Sequence, residues 1–127
     1  MEILRPTDIE DEIRKALAEK FTVYVRPLPA NFRTPSLLIT ATGGSTTNAV
    51  DSFTVVIDAR AETDPEADEL IRNAIGVLEY QAKHQAGALR FAELNALANW
   101  RTDPVRPDLK MRSATARVIA HREKINI

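Results

Sequence analysis

The sequence predicts an α+β protein: a two-layer sandwich with an antiparallel sheet of four to five strands and two helices on one face. Three observations carry this. Helical patterns with capping signals open near Thr7 and near Thr63. Runs rich in β-branched and aromatic residues lie between them and after them. The chain has 127 residues, 44% of them hydrophobic, which suits one core and a single domain spanning 1–127.

The first helix is expected from about Asp8 to Lys20. Thr7 is placed to cap it, and Glu10 can reach back in a capping box. Ile9, Ile13, Ala16 and Leu17 recur at helical spacing. Phe21 to Arg26 reads as a strand, stopped by Pro27 and Pro29. Leu37 to Ala41 and Val50 to Ala59 are the next two strands, the latter with Phe53, Val55, Ile57 and Ala59 on one face. Gly43-Gly44-Ser45-Thr46-Thr47-Asn48 joins them as a hairpin. The three strands are expected to form an antiparallel meander.

Thr63-Asp64-Pro65-Glu66 opens the second helix, with proline inside the first turn. Ala67, Leu70, Ile71, Ala74, Ile75 and Leu78 form its apolar stripe; it should run to about Lys83, with Gly87 as the stop. Ala88 to Trp100 fits neither period well and is read as a strand followed by a loop. Asp103-Pro104 and Arg106-Pro107-Asp108 mark a turn-rich loop. Ser113 to Glu123 is the last strand, with Ala114, Ala116, Val118 and Ala120 on one side.

Composition narrows the chemistry. The absence of cysteine excludes disulfides, thiolate zinc sites and cysteine nucleophiles, and fits a reducing compartment. Four glycines leave no room for a glycine-rich phosphate loop. Met1-Glu2-Ile3-Leu4-Arg5-Pro6, with no apolar run after it, is not expected to act as a signal peptide, and no apolar run approaches the ~20 residues that span a bilayer. His84 and His121 have no partner nucleophile at a recognisable spacing. The acids Glu62, Asp64, Glu66, Asp68 and Glu69 gather where a helix dipole favours them. No enzyme activity, metal or cofactor is expected.

Two features point to surfaces instead. Basic residues gather late: Arg101, Arg106, Lys110, Arg112, Arg117, Arg122 and Lys124 stand against Asp103, Asp108 and Glu123. Such a segment can meet a negative partner, including the phosphates of DNA; an alternately charged, solvated strand accounts for the same pattern. With 6% aromatic residues and only Trp100 nearby for stacking, sequence-specific nucleic-acid binding is not expected. Second, Thr34 to Val50 carries no charge at all. A mobile loop would show this, as would a hairpin that orders against a neighbouring subunit. Gly43, Gly44, Ser45, Thr46, Thr47 and Asn48, with Arg106, Lys110 and Arg112 of the later loop, are the candidate interface.

Several stretches together resemble the tail-terminator, or tail-completion, proteins of long-tailed bacteriophages. They are Arg5-Pro6-Thr7-Asp8 opening a leading helix, Val25-Arg26-Pro27-Leu28-Pro29, Leu37-Leu38-Ile39 running into Gly43-Gly44, and Val50-Asp51 opening a long strand. The acidic helix start Asp64-Pro65-Glu66-Ala67-Asp68-Glu69-Leu70, then Pro107-Asp108, Arg112 and a strand from Thr115 through Val118 to Arg122, complete the pattern. Arg60 departs from it, standing where members often have an aromatic. The resemblance implies a virion protein of the tail neck, assembled in the host cytoplasm. It implies a homo-oligomer, a hexameric ring, that caps the tail tube protein, stops its polymerisation and docks the head-completion or connector protein. Non-specific contact with passing DNA is compatible with it, and no membrane is involved. The resemblance also favours a strand at Ala88 to Trp100. Another neck protein, such as a head-completion or stopper protein, fits a similar pattern, as does a small cytoplasmic ligand-binding protein or enzyme.

Overall fold

The computed structural model describes residues 1–47, 50–104 and 106–127, with backbone alone over 97–99. Along the chain come β1 (Glu2–Arg5), α1 (Ile9–Leu17), β2 (Val23–Val25), β3 (Ser36–Thr47) and β4 (Val50–Ala61). Then follow α2 (Asp64–Lys83), β5 (Leu89–Thr102), β6 (Lys110–His121) and β7 (Glu123–Asn126). The class is α+β. One sheet has five strands in the order β2-β3-β4-β6-β5, and β1 pairs with β7 in a separate ribbon.

The sheet is mixed, not the expected antiparallel one. β3, β4, β6 and β5 pair antiparallel, but β2 runs parallel to β3. The connection from Arg26 to Pro35 is the reason. It is too long for a tight hairpin and brings the chain back to the end where β2 began, burying Phe32 on the way. No signal in the sequence disclosed the ribbon. Its partners, such as Ile3 opposite Ile125, come from the two ends of the chain.

Strand alternation builds the core. Leu37 and Ile39 of β3, Val55, Ile57 and Ala59 of β4, and Ala114, Ala116, Val118 and Ala120 of β6 are buried on one face. Against them pack Ile9, Ile13 and Leu17 of α1, and Ile71, Ala74, Leu78 and Ala82 of α2. The alanines of β6 keep that part of the floor shallow, so α2 can lie across β4, β5 and β6. Leu70 and Ile75 pack only at its margin.

Helix ends follow local chemistry, with three corrections. Thr63 caps α2: its Oγ accepts the Glu66 N–H at 3.4 Å and donates to the Glu66 carboxylate at 2.9 Å. For α1 the cap is Asp8, not Thr7; the Asp8 carboxylate accepts the Asp11 N–H at 3.2 Å. Glu10 closes no capping box. It turns to the sheet, accepting the Ala41 N–H at 2.8 Å and Arg26 at 2.9 Å. After α2, the first residue in the left-handed region is Gln85, with φ 57°, rather than Gly87. Gly87 is also left-handed, and a Cβ there would meet the Glu12 carboxylate at 2.5 Å. That carboxylate accepts the Ala88 N–H at 3.2 Å, pinning α1 to the start of β5.

β5 replaces the expected strand and loop with one strand that continues to Thr102. Its register against β6 shifts between Leu89 and Phe91, Leu94 and Ala96, and Ala96 and Asn99. Each irregularity resets the alternation, which is why neither period fits the sequence.

Candidate functional site

The predicted contact residues fall at opposite ends of the sheet. Gly43, Gly44, Ser45, Thr46 and Thr47 form the exposed outer half of β3, paired along β4 as far as Thr47 opposite Val50. They are strand, not the expected loop; Asn48 lies outside the described residues. Lys110 sits opposite Ala61, at the other end of β4. Eleven strand steps separate the two ends, roughly 36 Å at the usual rise.

A polar knot holds the base of the hairpin. Asp51 is 3% exposed and receives Arg122 at 3.2 Å and the Thr46 hydroxyl at 2.7 Å. Burial pushes the Asp51 carboxyl up, but the bonds from Arg122 and Thr46 outweigh it and hold its pKa below the ordinary carboxylate value. Arg122 is the single residue between β6 and β7, so the same contact fixes where the terminal ribbon departs. Beside the knot lies a hollow of about 370 Å³, lined by Pro6, Ala41, Gly43, Gly44 and Phe53 among others. Among the described residues, Asp51 is the one charged group in its lining and is already bonded.

At the far end, the loop between β5 and β6 is clamped on a buried ion pair. Arg60 Nε donates to Asp103 at 2.8 Å, with Arg60 5% and Asp103 0% exposed. The Arg60 guanidinium lies 5.8 Å from the centre of the Phe32 ring, and Arg106 lies 5.7 Å from the same ring. Phe32, from the loop before β3, thus offers one aromatic ring to both guanidinium groups. Asp103 also accepts the Arg106 backbone N–H at 3.3 Å. None of this was legible in advance: Arg60 and Asp103 are 43 residues apart, with no local pattern linking them.

The late basic residues are largely matched within the chain. Arg112 grips Asp64 through two bonds, at 3.1 and 2.9 Å. Arg117 pairs with Glu93 at 3.0 Å, Arg106 with Asp108 at 3.0 Å, and Lys124 with Glu2 at 3.6 Å. Asp64 raises the Arg112 pKa above its ordinary value, and Arg106 lowers that of Asp108. Arg112 therefore ties β6 to the first turn of α2, while Arg106 and Lys110 sit on or beside the loop.

The histidines stand apart. His84 stacks on Tyr80 with ring centres 4.1 Å apart and places Nδ1 2.8 Å from the Tyr80 carbonyl oxygen. His121 is exposed at the end of β6. Among the described residues, no three His, Asp or Glu side chains are grouped to hold a metal ion, and no helix is long and apolar enough to cross a membrane. Comparison with known proteins gives no matching family model and no match among curated proteins.

Proposed function

We propose that this chain is a structural assembly protein of the phage-tail type: it forms a ring on the end of a tail tube, stops tube growth and presents a docking surface for the head connector. The mechanism is steric and electrostatic, with no chemical step. One observation supports it most. The uncharged β3–β4 hairpin and the Arg106–Lys110 loop stand at opposite ends of one sheet, the placement needed to meet two axial partners. The hairpin incurs little desolvation cost when buried, since its exposed residues from Gly43 to Thr47 are polar but uncharged. The loop end offers cations and is held rigid by the Arg60–Asp103 pair.

Polymerising tail-tube protein in the presence of the chain tests this reading. The tubes should stop at a shorter mean length, and adding more chain should shorten them further. Tubes that grow to the same length with or without it would contradict the function.

A further inference from the structure

We infer that copies of this chain join head to tail through the two margins of the five-stranded sheet, the outer half of β3 in one copy lying against β5 of the next. The inference rests on the ring reading and supplies its lateral contact: the open backbone margin of β3 faces the next copy, which leaves the end of the hairpin, where Thr47 pairs with Val50, for the axial partner.

β2 covers β3 only from Leu37 to Ile39. Glu10 takes the Ala41 N–H just beyond, and from Thr42 to Thr47 no strand lies on that side among the described residues. β5 forms the opposite margin, with no strand outside it among the described residues. Sheet margins in single subunits are usually guarded by charged side chains, because unpaired backbone groups recruit other strands. Charged residues make up 28% of this chain, yet Thr34 to Val50 has none, and neither has Leu94 to Trp100 between Glu93 and Arg101. Folding brings these two distant uncharged stretches to the two margins of one sheet.

That placement selects the geometry. Contact between unlike margins is heterologous and propagates from copy to copy, whereas like margins would close a twofold dimer. Joining the two stretches desolvates no charged side chain. Trp100, at 53% exposure, adds apolar area at one end of the β5 stretch; Phe91, with the Arg117 guanidinium 5.4 Å from its ring centre, lies beyond the other. The irregularities at Leu94/Ala96 and Ala96/Asn99 bend and twist β5. A copy added there is rotated relative to the first, as closure into a ring requires.

The chain contains no cysteine, so single thiols report the contact directly. Ser45→Cys and Asn95→Cys both lie at exposed positions, and Glu79→Cys on α2 serves as a control. The variants are mixed in pairs at millimolar chain with a short bismaleimide, after circular dichroism and thermal melts show that each folds as the parent does. The S45C–N95C product should dominate over either like-with-like product and over pairs with E79C. The doubly substituted S45C/N95C chain should give a ladder, and adding Ala96→Lys should suppress both. A mixed product no more abundant than the E79C controls, or a dominant like-with-like product, overturns the inference. Cross-linking as expected with no effect on tube length would leave this contact standing and defeat the proposed function. Tube termination without the mixed product would do the reverse.

Discussion

Arg60 and Asp103 meet inside the protein, Nε 2.8 Å from the carboxylate, with both side chains almost wholly removed from water. One guanidinium nitrogen, Nη1, is buried with no hydrogen-bond partner among the described residues. The pair therefore fixes the loop before β6 at a desolvation cost that the ion pair and the Phe32 ring only partly offset. Removing one member should be severe: Asp103→Ala should cost about 3–5 kcal/mol, because the Arg60 charge stays buried. The double change Arg60→Met with Asp103→Leu should recover most of that loss. Urea midpoints of the parent and the two variants check this; an Asp103→Ala midpoint equal to the parent's would show that the loop is held elsewhere.

α2 should respond according to depth. Leu78 is 1% exposed, and Leu78→Ala should cost about 2–5 kcal/mol. Tyr80, two residues on, is 61% exposed, and Tyr80→Ala should stay within about 0.5 kcal/mol. Thermal melts of the two variants give the comparison, and equal shifts would show that the apolar stripe is not the core face.

This helix was the most legible part of the sequence. Thr63, Pro65 and Glu66 set its start, and the stripe from Ala67 to Leu78 set its buried face, all by interactions within a few residues. The features that went unread depend on distance along the chain. Asp51 and Arg122 are 71 residues apart, and Arg5 and Glu123, which pair across the terminal ribbon, are 118 apart. The late basic segment looked free for the same reason: acids in other elements occupy Arg112, Arg117 and Arg122. In β5 the obstacle was local, since shifted register erased the period on which strand recognition depends. The uncharged run from Thr34 was visible at once. That its outer half continues as strand to Thr47, at a margin of the sheet, required the pairing with β4.

Acid should loosen the base of the hairpin. The folded-state pKa of Asp51 lies below its ordinary value of 3.8. Its contribution is therefore full at pH well above that value and is lost as pH falls through the depressed folded-state value. In melts taken from neutral pH down to about pH 2, the parent should lose stability more steeply below about pH 4 than Asp51→Asn does. Parallel curves would mean that the knot with Arg122 and Thr46 contributes nothing to stability.

Charge reversal at the loop end separates folding from joining. Arg112 is committed to Asp64, so Arg112→Glu should lower the melting temperature. Arg106→Glu with Lys110→Glu, at one exposed and one half-buried position outside the Arg112–Asp64 pair, should lower the melt less than Arg112→Glu does while impairing attachment of heads to capped tails. The parent's attachment should itself weaken as salt rises, since exposed charge pairs are screened. Normal joining by the double variant at low salt would move the head-facing surface away from this loop.

The ring itself is the central claim, and electron microscopy of tail-tube ends after incubation with the chain tests it most directly. End-on class averages should show a closed ring of six copies seated on one end of each tube, and the sides of the tube should be bare. Undecorated ends, or single copies bound along the tube wall, would contradict the account.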